Sequence, residues 1–427
     1  MWVIYALGAE SIVPAAAGPK FENFLAENPS LANESLHGQT MKYILNVDIV
    51  EHLGDICQTI LFLIGAMTIV ELIDVHGGFR IITDRITTRR KVKLLWVISF
   101  TTFFMSAILD NLTTTIVMIM LLRKLIANKK ERWLYAACIV IAANSGGAWS
   151  PIGDVTTIML WVGGNVTTGS LMSYVLLPSL VSLLVPLFVV SRSLKGNLSP
   201  VKNVANVDNG ISTGERNTIF FFGVSALIFV PIFKSITHLP PFVGMLFSLG
   251  VLWVFTEIFY NAKSLEKARE QRLPKVISRV DMPSILFFLG ILMAVAVLQS
   301  TGVLKWLASS LDEHVHNVYI IDSLLGVLSS IVDNVPLVAA SMGMYPVADP
   351  AATGYAANFI IDGTFWELLS YCAGVGGSIM IIGSAAGVIA MGLEKISFGW
   401  YLRKFSLLAL AGYFSGIVVY VIEKLLF

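Results

Sequence analysis

Charge is the first thing this sequence lacks. Only 13% of its 427 residues are charged, about half the roughly 25% usual for a soluble domain. The 29 basic and 28 acidic residues nearly cancel, and the lysines and arginines sit in short connecting segments rather than on one basic face. That distribution excludes nucleic acid as a partner. Cysteine is scarce too. Cys57, Cys138 and Cys372 are an odd number, widely spaced and each inside an apolar run, so they provide neither a disulfide framework nor a zinc site. A Gly-Lys-Ser/Thr phosphate loop, a nucleophile elbow and a Cys/His cluster are all missing, which argues against an ATP-driven pump or an intramembrane enzyme.

Long hydrophobic runs, in contrast, are abundant. The composition is 56% hydrophobic with mean hydropathy +0.77, and ten apolar runs between Ile56 and Ile422 come near or exceed the roughly 17 to 25 residues of a spanning helix. The chain therefore reads as an all-α polytopic membrane protein. Met1 to Leu7 is too short for a signal-peptide core or a span and reads as a helix fragment. Gly18 to Asp55, with its Pro, Asn, Glu and Asp residues, reads as an extramembrane connection.

Three runs are anomalous. Leu94 to Ile126 and Val318 to Tyr345 carry Asp-Asn at their centres, and Trp133 to Val162 is interrupted by NSGGAWSPIGD. An internal repeat accounts for the pairing. LFLIG at Leu61 returns as LFFLG at Leu286, SAILDN at Ser106 as SSIVDN at Ser329, and Gly146-Gly147 as Gly376-Gly377, at offsets of 225, 223 and 230. The chain thus divides into an N-terminal segment (1–54), a first repeat (55–195), linking spans (196–282) and a second repeat (283–427). The first repeat holds a hairpin at about 94–126 and a broken helix at about 133–162. The second holds their counterparts at about 318–345 and 365–391.

Basic residues orient the halves. Six lie between Arg80 and Lys93 and five between Arg123 and Arg132, so both flanks of the first Asp-Asn run are basic and belong on the cytoplasmic side. That run therefore enters and returns as a re-entrant hairpin. Two linking spans then start the second half from the opposite face, giving inverted-topology repeats. The arrangement puts 24 of the 29 basic residues in cytoplasmic segments, Lys202, Lys263, Lys267 and Arg269 among them, and leaves only Lys20, Lys42, Lys234, Lys305 and Lys424 outside.

Irregular backbone at membrane depth is tolerated only where protein or a water-filled cavity satisfies it. Breaks are expected at Asp110 to Thr113, Ser145 to Asp154, Asp333 to Pro336 and Ala373 to Gly377, meeting near the midplane where secondary transporters build their sites. Asp110, Asp154 and Asp333 stand at helix starts, where an acid can simply cap. A buried acid at such depth costs about 2.5 to 3.5 kcal/mol on insertion scales, which favours function. The three carboxylates would hold a cation, with Asn111, Asn144, Thr156, Thr157 and Asn334 as neutral oxygen ligands. Burial disfavours a bare carboxylate, so such a group holds a proton or a metal cation but poorly both, and alternating exposure would exchange the two. Glu71, inside the first span, is a further candidate, although its counterpart at the 225 offset is Ala296. His76, His314 and His316 read as ordinary interfacial or loop residues.

ELIDVHGGF, SAILDNLTTT, NSGGAWSPIGDVTT and SSIVDNVPL together resemble the NhaD-type sodium/proton antiporters of the ion transporter superfamily, which includes arsenite permeases and dicarboxylate transporters. The resemblance runs from about Leu53 onward. It implies exchange of Na+ or Li+ for H+ without a cofactor, a scaffold and a transport domain, a homodimer with elevator-like movement, and a bacterial inner membrane. By motif position it points to Asp110, Asn111, Asn144, Asp154, Thr156, Thr157 and Asp333, with Asn334 and Ser378 beside them. Family members carry more apolar sequence ahead of the first motif, whereas Met1 here resembles the end of an earlier helix. Leu112-Thr113 also stands where the second half has Val335-Pro336. The alternative is an arsenite or dicarboxylate carrier of the same superfamily. Dicarboxylate relatives resemble Ser-Asn-Thr at the hairpin tips, and Asp110 and Asp333 disfavour an anion there.

Overall fold

The computed structural model describes residues 1–198, 212–261 and 272–426. Lys202, Lys263, Lys267 and Arg269 of the charge argument lie outside the described residues. The described elements are helical, and seven of these helices are long and apolar enough to cross a membrane. The protein is an all-α polytopic membrane protein.

The N-terminal segment is more ordered than its composition suggests. Helices α1 (Trp2–Leu7), α2 (Ala9–Glu27) and α3 (Leu36–Tyr43) lead through one π turn into α4 (Ile49–Val75). The connection expected over Gly18 to Asp55 is therefore mostly helix. Gly18 at φ +34° kinks α2 between Pro14 and Pro19 without ending it, and the Ser35 side chain caps α3 by accepting from the Gly38 N–H.

A short α5 (Arg80–Thr83) precedes α6 (Lys91–Leu109), α7 (Asn111–Leu125), α8 (Lys129–Gly147), α9 (Val155–Val162) and α10 (Thr168–Ser193). Linking helices α11 (Thr213–Thr237), α12 (Pro241–Asn261) and α13 (Leu273–Ile277) follow. The remaining helices are α14 (Met282–Ser300), α15 (Val303–His314), α16 (Val318–Leu328), α17 (Asn334–Met344), α18 (Thr364–Gly376), α19 (Ala385–Glu394), α20 (Phe398–Lys404) and α21 (Ser406–Leu426). Three of the breaks fall at or beside the expected places, at Asp110, 148–154 and 329–333. The fourth lies later than expected, at 377–384, because α18 continues through Gly374 and Gly376.

Those glycines permit close packing rather than breaking the helix. A Cβ on Gly376 would strike the Gly326 carbonyl of α16, and one on Gly146 would strike the Phe103 carbonyl of α6. The pairs 103/326 and 146/376 stand at the repeat offsets, and so do two serine bonds. Ser106 Oγ donates to Ala143 O at 2.6 Å, and Ser329 Oγ donates to Ala373 O at 2.8 Å. The crossing of α6 with α8 and the crossing of α16 with α18 thus use the same contacts.

The direction of each element follows from contacts at its ends. Lys91 Nζ at the start of α6 meets Glu131 Oε1 near the start of α8 at 2.6 Å, and the Tyr135 hydroxyl donates to Lys91 O at 2.9 Å. Because α8 follows α7 directly, the α6–α7 hairpin opens and closes on one face. In the second half, Tyr345 and Tyr355, beyond α17, donate to Asp312 Oδ1 of α15, just before α16, at 3.1 and 2.7 Å. At the far end of α9, Thr167 meets Asp362 just ahead of α18. At the far end of α19, buried Glu394 accepts from Arg123 Nε of α7 at 2.8 Å and Arg132 Nε of α8 at 2.9 Å. The broken helices α8–α9 and α18–α19 therefore run in opposite senses.

Burial separates core from periphery. Every residue from Tyr135 to Gly147 of α8 and from Phe365 to Gly376 of α18 is buried, so both are central helices. By contrast, α11, α12 and α14 leave Phe221, Val254 and Phe287 exposed, as lipid-facing helices do.

Gly376→Ala forces methyl against backbone, and an overpacked core costs about 3 kcal/mol. It should lower the Tm of the detergent-purified protein clearly. Gly250→Ala, with nothing near its Cβ position, should leave Tm within error of the unmodified protein.

Candidate functional site

Four helices begin at one place. Asp110 caps α7, Asp154 caps α9, Asp333 caps α17 and Ser384 caps α19, each accepting from a backbone N–H within the first turn. Bare N–H groups at such starts require oxygen acceptors, which is why acids and a serine occupy these positions. Asp110 also adopts φ +82°, ψ 158°, a conformation L-residues rarely take; it turns the chain between α6 and α7 with no glycine or proline.

Side chains knit these four starts together around the Asp154 carboxylate. Asn111 Nδ2 donates to Asp154 Oδ2 at 2.7 Å and Asn334 Nδ2 donates to the same oxygen at 3.2 Å. The first residues of α7 and α17 thus converge on the cap of α9. Asn144 completes the ring: its Oδ1 accepts from Asn111 at 3.2 Å, and its Nδ2 donates to Ser378 Oγ at 3.0 Å and Ser384 Oγ at 2.8 Å. All six residues are buried.

The remaining sequence candidates fall in three places. Thr157 closes a capping box with the Asp154 backbone, and the buried Thr156 lies one position before it, its N–H donating to Asp154 Oδ1 at 3.1 Å. Asp110 and Asp333 cap their own helices instead of joining the ring. The Asp110 carboxylate accepts from Thr113 N at 2.7 Å and Thr113 Oγ1 at 3.0 Å, and Asp333 accepts from Val335 N at 3.3 Å. Among the described residues no three acids converge as direct ligands of one metal ion. Glu71 lies outside the ring, with Asp74 and Arg279 as its charged neighbours.

Ser384 escaped the sequence reading although the 230 offset carries Asp154 onto it. Hydroxyl-bearing residues are unremarkable in apolar runs, whereas acids are not. A cavity lies beside two of the helices that start at the ring. It measures about 360 Å³ and is lined by Glu51, His52 and Asp55 of α4, Met159 of α9, Leu292 of α14 and Met342 of α17. Because α9 and α17 both start at the ring, the cavity flanks the far halves of two helices whose N-termini form the site.

Interrupted helices that converge on buried polar groups in a multi-pass helical protein are the arrangement in which membrane transporters build their sites. A family model described as a citrate transporter (CitMHS) matches residues 46–361. "Sodium/proton antiporter 2" of Arabidopsis thaliana is 46% identical over 386 residues, covering 90% of this chain and 89% of that protein. "Sodium/proton antiporter 1" of the same plant is 45% identical over 415 residues, 95% of this chain and 70% of that protein. The Na(+)/H(+) antiporter NhaD of Vibrio cholerae is 32% identical over 401 residues, 87% of this chain and 80% of that protein. The chain belongs to the NhaD-type sodium/proton antiporters of the ion transporter superfamily.

Asn144→Ala leaves Asn111, Ser378 and Ser384 each short of a partner. At about 1 kcal/mol per net hydrogen bond, the expected loss is about 3 kcal/mol, read as a lowered Tm. Asn334→Ala, which gives up its amide bond to Asp154 alone, should cost about 1 kcal/mol.

Proposed function

We propose that this protein exchanges sodium, or lithium, for protons by alternating access at the Asp154 ring. One observation carries the reading: two hairpin-tip amides from different halves close on a single buried carboxylate. The charge balance agrees. Four helix N-termini contribute about two positive charges in all, against the three carboxylates of Asp110, Asp154 and Asp333. About one negative charge is left for a monovalent cation to neutralise. Asp154 contributes by contact, with the Thr156 hydroxyl and the Asn111, Asn144 and Asn334 amide oxygens as neutral ligands. Asp110 and Asp333 contribute through their field.

In the proposed cycle Asn111 and Asn334 hold the Asp154 carboxylate while no ion is bound. An arriving cation takes the carboxylate and the amides rotate to offer oxygen. A proton takes it on the return. The halves are proposed to be inverted repeats with re-entrant hairpins, a reading supported by the recurring glycine and serine contacts and the opposed broken helices. The cavity beside Glu51, His52 and Asp55 is the proposed entry from one face. A homodimer, elevator-like movement and a bacterial inner membrane belong to the same proposal, although the relatives come from a plant as well as from bacteria. The citrate-transporter match favours a second reading, an anion carrier.

The test is sodium-induced proton movement in proteoliposomes with an entrapped pH dye. The intact protein should respond to sodium or lithium, and Asp154→Asn should lower the response by at least about tenfold, as loss of a ligand does. Silence toward both cations at every pH from about 6 to 9, together with citrate or dicarboxylate uptake, would replace antiport with anion transport.

A further inference from the structure

Five acids are buried among the described residues, and four have partners. The Tyr5 hydroxyl donates to Asp48, two amides hold Asp154, Glu367 pairs with Lys424 at 2.7 Å and with the Tyr420 hydroxyl, and Glu394 holds two arginines. The fifth is Asp322 of α16. Its exposure is 0%, and neither carboxylate oxygen meets a hydrogen-bond partner.

Its place in the fold is defined by α16. Residues 322 and 326 share one face of α16. There Gly326 abuts the Cys372 carbonyl and the Tyr413 hydroxyl, and just past the end of α16 Ser329 bonds Ala373 O before Asp333 caps α17. Asp322 therefore lies against α18, one turn from Gly326 and about 10 Å of helical rise from Ser329. The titratable groups in its field are Tyr345 and Tyr355 from the segment after α17, Cys372 from α18, and Tyr413 and Tyr420 from α21. No basic group is among them. Ser99, at the same place in the first half by the 223 offset, is also fully buried with an unpartnered hydroxyl. Both halves keep a small polar side chain here, and only the second half's can carry a proton.

From this geometry we propose that Asp322 is a second proton-binding site, separate from the Asp154 ring and serving the same exchange. The inference rests on the antiport reading. A bare carboxylate without a hydrogen bond or counter-ion is disfavoured in such surroundings, so the conformation described here holds Asp322 as the neutral acid. The step is proton transfer alone: the carboxyl O–H bond breaks when movement of α16 against α18 admits water, the proton passes to that water, and reprotonation restores the closed packing. Tyr420 lies within the field of Asp322 and bonds Glu367, whose partner Lys424 reaches the surface. These groups mark the route by which water would arrive.

The experiment uses the full-length protein in proteoliposomes, unmodified and as Asp322→Asn and Asp322→Ser, the second borrowing the residue the first half carries. Three readouts are compared: sodium-driven proton movement, sodium-for-sodium exchange with a radioactive tracer, and the infrared carboxylic-acid C=O band as external pH is varied. The expected result is loss of proton movement, retention of sodium exchange, and absence in both variants of a pH-responsive acid band present in the unmodified protein. Full proton movement with an unchanged pH profile in either variant overturns the proposal. Loss of sodium exchange in both variants makes Asp322 structural and overturns it as well. An unmodified protein inert to sodium sinks the antiport reading instead, and the infrared band, which needs no sodium, still decides whether Asp322 exchanges a proton.

Discussion

The arrangement depends on one buried carboxylate with two amide donors from opposite halves. Asp154 draws Asn111 and Asn334 together, and these residues open α7 and α17. Helix starts repel one another because each presents unpaired N–H groups and the positive end of a dipole. Acids at three of the four caps make their convergence possible, and Asn144 ties in the fourth through Ser384. Removing the negative charge would leave four positive ends facing each other in a buried place.

What keeps those ends in register is packing with almost no side chain in it. At the crossings of α6 with α8 and of α16 with α18, glycine meets backbone carbonyl, so the helices approach as closely as helices can. Outside the crossings the halves are clasped by charge. Glu394 holds the end of α19 to Arg123 and Arg132 at the base of the first hairpin, and Asp362 holds the end of α9 beside the start of α18. These contacts tie α6–α7 and α16–α17 to α8–α9 and α18–α19 at both ends and at the middle.

Much of this was legible in the sequence, because an acid inside an apolar run is conspicuous. Asp110, Asp154 and Asp333 marked three of the four helix starts, and the repeat offsets paired the halves. The fourth start was displaced because Gly374 and Gly376 were read as breakers, while their work is to admit a neighbouring backbone. Ser384 passed unnoticed since a hydroxyl costs little in an apolar segment. Asp322 was hidden by a different effect, as one acid eleven residues before the Asp-Asn tip was absorbed into a long hydrophobic count. Met1 to Leu7 was legible as a helix fragment, whereas the helices within Gly18 to Asp55 were missed because the Pro, Asn, Glu and Asp residues there suggested a connection; the chain accommodates Gly18 and Pro19 with a kink inside α2.

The inequality of Asp154 and Ser384 has a wider meaning. The two positions stand 230 residues apart, the same offset as Gly146 and Gly376, and each caps a helix at the same ring, yet one is an acid and the other a hydroxyl. Four helix starts meeting at one place form a cradle of positive ends, a form that by itself invites anions. Acids at three of the four caps oppose that polarity. A match to a citrate-transporter family model and strong likeness to sodium/proton antiporters are compatible on this view, since bare helix starts favour an anion and carboxylates at their caps disfavour one.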